Sequence, residues 1–162
     1  MRVDQRQNIP LLAIVGPTAV GKTTLAIALA RVLGGEIVSA DSRQVYRRMD
    51  IGTAKPTADE RAAAPHHLID VVDPDEEFSL ARYQDLAIAA IDEIAARGRL
   101  PLLVGGTGQY LAALLEGWQI PRVAPRPELR AALERAAEQD GPAALHARLA
   151  RIDPAGAASI MP

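Results

Sequence analysis

The sequence contains no cysteine. That removes disulfide frameworks, thiolate metal sites and a cysteine nucleophile together. A large excess of one sign of charge is also missing: the formal net charge is −2, so any nucleic-acid contact has to be local instead of spread over a basic surface. No apolar run approaches the ~20 residues of a membrane span. The opening Arg2-Val3-Asp4-Gln5-Arg6-Gln7-Asn8 is too polar for the apolar core of a signal segment. The expectation is a cytoplasmic protein with no membrane partner. Lysine is scarce as well, since Lys22 and Lys55 are the only two among 18 basic side chains. An overall bias towards arginine accounts for most of the rest and singles out those two positions.

What is present is a chain of 162 residues, 49% of them apolar, enough for one sizeable core. The apolar run Leu11-Leu12-Ala13-Ile14-Val15 leads into Gly16-Pro17-Thr18-Ala19-Val20-Gly21-Lys22-Thr23 and then into the helix-prone Thr24-Leu25-Ala26-Ile27-Ala28-Leu29-Ala30. Strand, glycine-bounded loop and helix in that order make a G-x-x-x-x-G-K-[ST] phosphate loop in its required context. Gly16 and Gly21 let successive N–H groups turn towards one anion, and the helix start adds its positive dipole end. Lys22 brings an ammonium to the phosphate oxygens, and the Thr23 hydroxyl suits a magnesium ion shared with them. The loop asks for a polyphosphate without saying which.

Periodicity and breakers predict strands at about 11–15, 36–40, 68–72 and 100–104. Helices are predicted at about 22–33, 57–63, from Ser79 to Gly98, and at 109–116. Strand and helix alternate, which predicts a parallel α/β sheet, phosphate-loop NTPase-like, with flanking helices. After Gly117 the character changes. Pro121, Pro125 and Pro127 mark a linker, and helices are expected at about 127–139 and 142–151, with Pro127 and Pro142 in first-turn positions and a further helix starting at Asp153-Pro154. The domain reading is an α/β core over 1–120 and the start of a helical unit over 121–162.

Asp41 is the carboxylate best placed for chemistry. It follows the second strand at the edge where ligands meet a parallel sheet, and a carboxylate there can hold magnesium or take a proton from a nucleophile. Asp70, with Asp73 and Asp75 close by, reads as a solvated acidic turn. Arg43, Arg47 and Arg48, with Tyr46 among them, fit nucleic-acid phosphates and a stacked base, although a solvated helix face is the commoner meaning. His66-His67 carries no metal-ligand spacing. Gly105-Gly106-Thr107-Gly108 is a second glycine-rich turn able to offer backbone donors and a hydroxyl. The strand before it has no terminal acid, which counts against an ordinary ATP hydrolase.

These blocks together carry a resemblance. Gly16 to Thr23, Ser39-Ala40-Asp41-Ser42-Arg43-Gln44-Val45-Tyr46, Met49 to Pro56, Pro65-His66-His67-Leu68-Ile69-Asp70 and Leu103 to Tyr110 closely resemble, in order, the successive blocks of bacterial tRNA dimethylallyltransferases. The resemblance covers essentially the whole chain and corresponds to the N-terminal portion of longer members. It implies transfer of a dimethylallyl group from dimethylallyl diphosphate to N6 of the adenine beside the anticodon, position 37, in tRNAs reading codons that start with U.

It implies residue roles too. Gly16, Pro17, Thr18, Ala19, Val20, Gly21, Lys22 and Thr23 hold the diphosphate with Mg2+, Asp41 is the general base, and Thr107 places the reacting groups. Asp41, Ser42, Arg43, Gln44, Thr107 and Arg130 contact tRNA at its anticodon stem-loop, and the full-length enzyme is expected to be a monomer. An AMP isopentenyltransferase, a small phosphate-loop kinase or NTPase that binds ATP, and a non-catalytic fragment are the alternatives.

Overall fold

A computed structural model describes residues 9–160. The polar stretch Met1–Asn8, and the last two residues of the block that ends at Pro162, lie outside the described residues. The chain divides into two compact units, one up to Pro121 and one from Arg122.

The first unit is built on four parallel strands. They are β1 (Leu12–Val15), β2 (Gly35–Ala40), β3 (His66–His67) and β4 (Leu100–Gly105), in the order β1-β4-β2-β3. The helices are α1 (Lys22–Leu33), α2 (Ala58–Ala63), α3 (Leu80–Ala96) and α4 (Gly108–Leu115). Alternation along the strands sends side chains to both faces. Ile37, Leu102 and Val104 pack with Ala26 and Ala30 of α1, while Val38, Ala40 and Leu103 pack with Tyr83, Ala87 and Ile94 of α3 and with Tyr110 of α4. A sheet covered on both faces explains why β2 is buried along its whole length.

Local sequence sets the element ends. Gly34 closes α1 in the left-handed conformation at φ 64°, where glycine pays no Cβ penalty. Ser79 caps α3 by accepting from the Arg82 N–H, and Thr57 and Glu60 form a reciprocal capping box on α2.

The predicted strand over 68–72 is not formed. Leu68 and Asp70 sit at φ 63° and 58°, a left-handed geometry that no strand tolerates. The preceding His66–His67 joins the sheet instead, pairing with Ile37 and Val38. Residues 70–72 lie along 44–46, with the Asp70 N–H donating to the Gln44 carbonyl, Val71 N–H to Val45, and one bridge between Tyr46 and Val72.

The second unit contains α5 (Pro127–Asp140), α6 (Pro142–Ile152) and α7 (Pro154–Ala158), each with proline in its first turn. His146 Nε2 lies 3.0 Å from the carbonyls of Ala157 and Ile160 and ties α6 to the segment after it. No helix among the described residues is long and apolar enough to cross a membrane.

Candidate functional site

The register aligns Val15, Gly105 and Ala40 across three adjacent strands. The phosphate loop, the second glycine turn and the Asp41 turn therefore leave the same carboxyl edge side by side. With strands about 4.8 Å apart, the loop and the Asp41 turn start about 10 Å from each other. The middle strand has to end in glycine for this to work. A Cβ on Gly105 would strike the Ala40 backbone, and one on Gly106 would lie 2.9 Å from the Gly16 carbonyl.

On one side of this edge, Gly21 at φ 85° leads into α1 with no side chain capping the helix start. Its first-turn N–H groups are thereby available to an anion. Ala19 is also left-handed at φ 67°, and Lys22 Nζ donates to the Pro17 carbonyl at 2.6 Å. A cavity of about 310 Å³ opens beneath the loop. Thr18, Lys22, Thr23, Asp41 and Gln44 form its polar wall, and Ala26, Ile37, Pro56, Ile69 and Val104 its apolar one.

On the other side, Asp41 Oδ1 accepts from the N–H groups of Arg43 and Gln44, at 2.8 and 3.3 Å. The turn is thus closed on itself, and Oδ2 makes no hydrogen bond among the described residues. Ser42 is bound to the second glycine turn: its N–H donates to Thr107 Oγ1 at 2.9 Å, and the Thr107 hydroxyl donates to Ser42 Oγ at 3.3 Å. A threonine at a helix start ordinarily caps its own helix. Thr107 makes no such bond, its hydroxyl being spent on the Asp41 turn. The Gln44 amide is occupied as well, accepting from Ser39 and donating to the carbonyls of Thr53 and Ala54. The Arg43 guanidinium makes no ion pair or hydrogen bond among the described residues.

Two readings from sequence are corrected here. Asp70 is not a solvated turn residue. It binds Lys55 through Oδ1 and Arg61 through Oδ2, both at 2.7 Å. Its burial alone raises the carboxyl pKa, but the bonds and charges of Lys55 and Arg61 outweigh that and leave it lowered. Arg47 and Arg48 form no helix face either. Arg47 binds the carbonyls of Asp70 and Val71, and both arginines pair with Asp73.

The centre of this clamp is Lys55, with a side chain only 3% exposed. Its ammonium donates to the Tyr46 carbonyl, Asp50 and Asp70 at 2.7–2.8 Å. Burial alone would lower its pKa, yet the two carboxylates win and it is raised. Sequence reasoning assigned this residue no role. Its one signal was to be a lysine where the chain otherwise prefers arginine, and three acceptors around a single nitrogen suit a point charge better than a planar fork.

Of the two histidines, His67 binds Glu36, which also takes Arg97, and His66 Nδ1 lies 2.8 Å from the Ala64 carbonyl. Arg130 belongs to α5 in the second unit, where it is 83% exposed and pairs with Glu134.

Among known proteins, the model of a family described as IPP transferase matches residues 44–162. A tRNA dimethylallyltransferase of Roseiflexus sp. (strain RS-1) is 78% identical over 95% of this chain and 50% of its own length. One from Chloroflexus aggregans is 71% identical over 94% of this chain and 51% of its own. The crystal structure of full-length tRNA isopentenylpyrophosphate transferase from Bacillus halodurans superposes with a TM-score of 0.68 at 53% identity, covering 94% of this chain and 50% of that one. A eukaryotic dimethylallyltransferase acting on tRNA gives a TM-score of 0.77 at 33% identity, over 94% of this chain and 38% of that one. The chain spans about half the length of the curated relatives it matches.

Proposed function

The chain belongs to the IPP transferase family, and on that premise we propose that it is the phosphate-loop half of a tRNA dimethylallyltransferase. One observation carries the reading. A single cavity joins an anion-binding loop, an apolar wall and the Asp41 turn, which suits an amphiphilic prenyl diphosphate delivered to an amine. Loop N–H groups and Lys22 hold the diphosphate, and the five-carbon tail packs against Ile37, Ile69 and Val104.

The acceptor is the exocyclic N6 of the adenine beside the anticodon of a tRNA. Its lone pair attacks the prenyl C1 as the C1–O bond breaks, and the diphosphate leaves with the bonding electrons. The N6 proton passes to Asp41 Oδ2. Thr107, bonded to Ser42, fixes the Asp41 turn relative to the loop, so that the reacting groups meet in one geometry. Lys22 and the loop amides meet the charge that grows on the leaving oxygens. The target base leaves its stack to reach this edge.

Thr23 lines the same cavity as Lys22, and its hydroxyl is a hard oxygen donor of the kind magnesium takes beside phosphate. Among the described residues no cluster of three acids or histidines offers a cage of its own. Thr23 and the diphosphate oxygens would thus hold the ion, which when bound supplies charge neutralisation for the leaving group. Ser42 and Arg43, beside Asp41, and the exposed Arg130 of α5 are the proposed tRNA contacts, and Gln44 acts with them by bracing the turn. The second unit is the start of a helical tRNA-binding insertion. The proposed setting is cytoplasmic, and the full-length protein is proposed to act as a monomer.

The test is prenyl transfer from labelled dimethylallyl diphosphate and magnesium to unmodified tRNA. It compares this chain, its Asp41→Ala variant and the same chain extended to the length of its relatives, with AMP as a second acceptor. Transfer to tRNA that disappears in the variant supports the reading. Transfer only by the extended form places this chain as an inactive half of such an enzyme. Transfer to AMP alone, or protection on heating by ATP and not by dimethylallyl diphosphate, sinks it.

A further inference from the structure

Tyr83 and Tyr110 form a stacked pair on the face of the sheet opposite α1, with ring centroids 3.7 Å apart and planes 12° from parallel. The two hydroxyls differ. That of Tyr83 donates to the Ser39 carbonyl at 3.2 Å, whereas that of Tyr110 makes no hydrogen bond among the described residues. A buried tyrosine normally finds a partner for its hydroxyl, and Tyr110 is 6% exposed. The one side-chain polar atom sealed from solvent without a partner, among the described residues, is His66 Nε2. The Tyr110 hydroxyl therefore reaches solvent from an otherwise buried ring.

The backbone of Tyr110 is tied, through Thr107, to the residues on either side of Asp41. Tyr110 lies in the first turn of α4, its N–H bonded to the Thr107 carbonyl. Thr107 in turn binds Ala40 through its N–H and Ser42 through its hydroxyl, the residues immediately before and after Asp41. The Tyr110 ring packs in one cluster with Ala40.

We propose that the Tyr110 hydroxyl is a specificity group that donates a hydrogen bond to a ring nitrogen of the target adenine while Asp41 accepts from its N6–H. Adenine presents an amine beside a ring-nitrogen acceptor on each edge that carries N6. A carboxylate that accepts and a neutral phenol that donates complement that pattern. Guanine places a carbonyl where adenine has the amine, which sets lone pair against carboxylate and leaves a buried polar group unpaired. Burial first, then the charges of Tyr46 and Asp41, push the Tyr110 pKa up to about 12, so the phenol keeps its proton in neutral solution and acts as a donor. During transfer it neither gains nor loses that proton.

This inference rests on the transferase reading, and its test separates the two. Tyr110→Phe keeps the ring and the stack and deletes only the donor. The form of the chain that transfers in the assay above is compared with this variant on stem-loops carrying adenine, 1-deazaadenine or 7-deazaadenine at the target position. Thermal melting verifies the fold of the variant. The expected result is a fall of about tenfold in kcat/KM for the adenine acceptor, with KM for dimethylallyl diphosphate unchanged. One deaza substrate should cost the Tyr110 protein the same factor and cost the Phe variant nothing further. Equal losses of the variant on all three acceptors, or none on any, would overturn the proposal. No transfer by the Tyr110 protein to any acceptor removes the transferase reading itself, and this inference with it.

Discussion

The two sides of the carboxyl edge are held in opposite ways. The phosphate loop is nearly free of tertiary bonds, its lysine resting on the carbonyl of Pro17 five residues back. The Asp41 turn is fastened from several directions: Ser42 to Thr107, Gln44 to Ser39, Thr53 and Ala54, and the following residues to 70–73 through Lys55, Arg47 and Arg48. A diphosphate brings charges of its own and can organise the loop that receives it. A neutral base brings none, so the group that takes its proton has to be in place beforehand. On the proposed function, one side is ordered by its ligand and the other by its protein.

Asparagine at position 41 separates the sides most sharply. Asp41→Asn keeps an Oδ1 acceptor for the turn and loses the base, so prenyl transfer should fall by about 10²- to 10⁴-fold. Dimethylallyl diphosphate affinity, measured by titration calorimetry, should stay as it was. A parallel loss of donor affinity would mean that the two sides are not independent.

The two lysines give the next largest contrast. Lys55→Met leaves Asp70 with Arg61 alone and frees the exposed Asp50, and should lower stability to denaturant by about 2 kcal/mol, less than for a buried charge left wholly unpaired. Lys22→Met should shift stability by less than about 0.5 kcal/mol while weakening diphosphate binding. Equal destabilisation by the two would break the comparison.

Acid should find the fastened side first. The folded pKa of Asp70 is lowered, so the stability it contributes is complete above its unfolded value, about 4, and is lost as pH falls below that through the folded value. Glu36, lowered by Arg97 and His67 against the effect of its own burial, behaves with the same sign. Amide exchange at 43–47 and 70–72 should speed up below pH 4 before that of α1 does. The smallest effect belongs to Thr57→Ala. It removes the capping box of α2, which carries Arg61 to Asp70, and should cost about 1 kcal/mol in thermal or denaturant melts.

The loosely held side is the one that sequence displays. The phosphate loop is a run of neighbours whose spacing is itself the chemistry, and α1, α3, β2 and β4 follow from periodicity and from capping residues such as Ser79 and Gly34. The fastened side is invisible to spacing because its partners lie far apart in sequence and obey no period. Arg47 meets Asp73 across 26 residues, and Ser42 meets Thr107 across 65. The misread strand at 68–72 has the same origin. Leu68-Ile69-Asp70-Val71-Val72 carries strand-like residues, yet Asp70 is turned by its two cations and its neighbours pair with 44–46 instead of the sheet. Tyr110 stood within a recognised block, but what distinguishes it from Tyr83 is a missing hydrogen bond, which composition does not record.

The strand order has a consequence for how the protein comes into being. Among the described residues β1 pairs only with β4, and β4 is also what joins β1 to β2. A nascent chain that has emerged as far as α3 already contains every residue of the phosphate loop and of the Asp41 turn, yet nothing sets them side by side. They can form one site only once Leu100–Gly105 has joined β1 to β2, so ligand-binding competence during synthesis should not precede the emergence of β4.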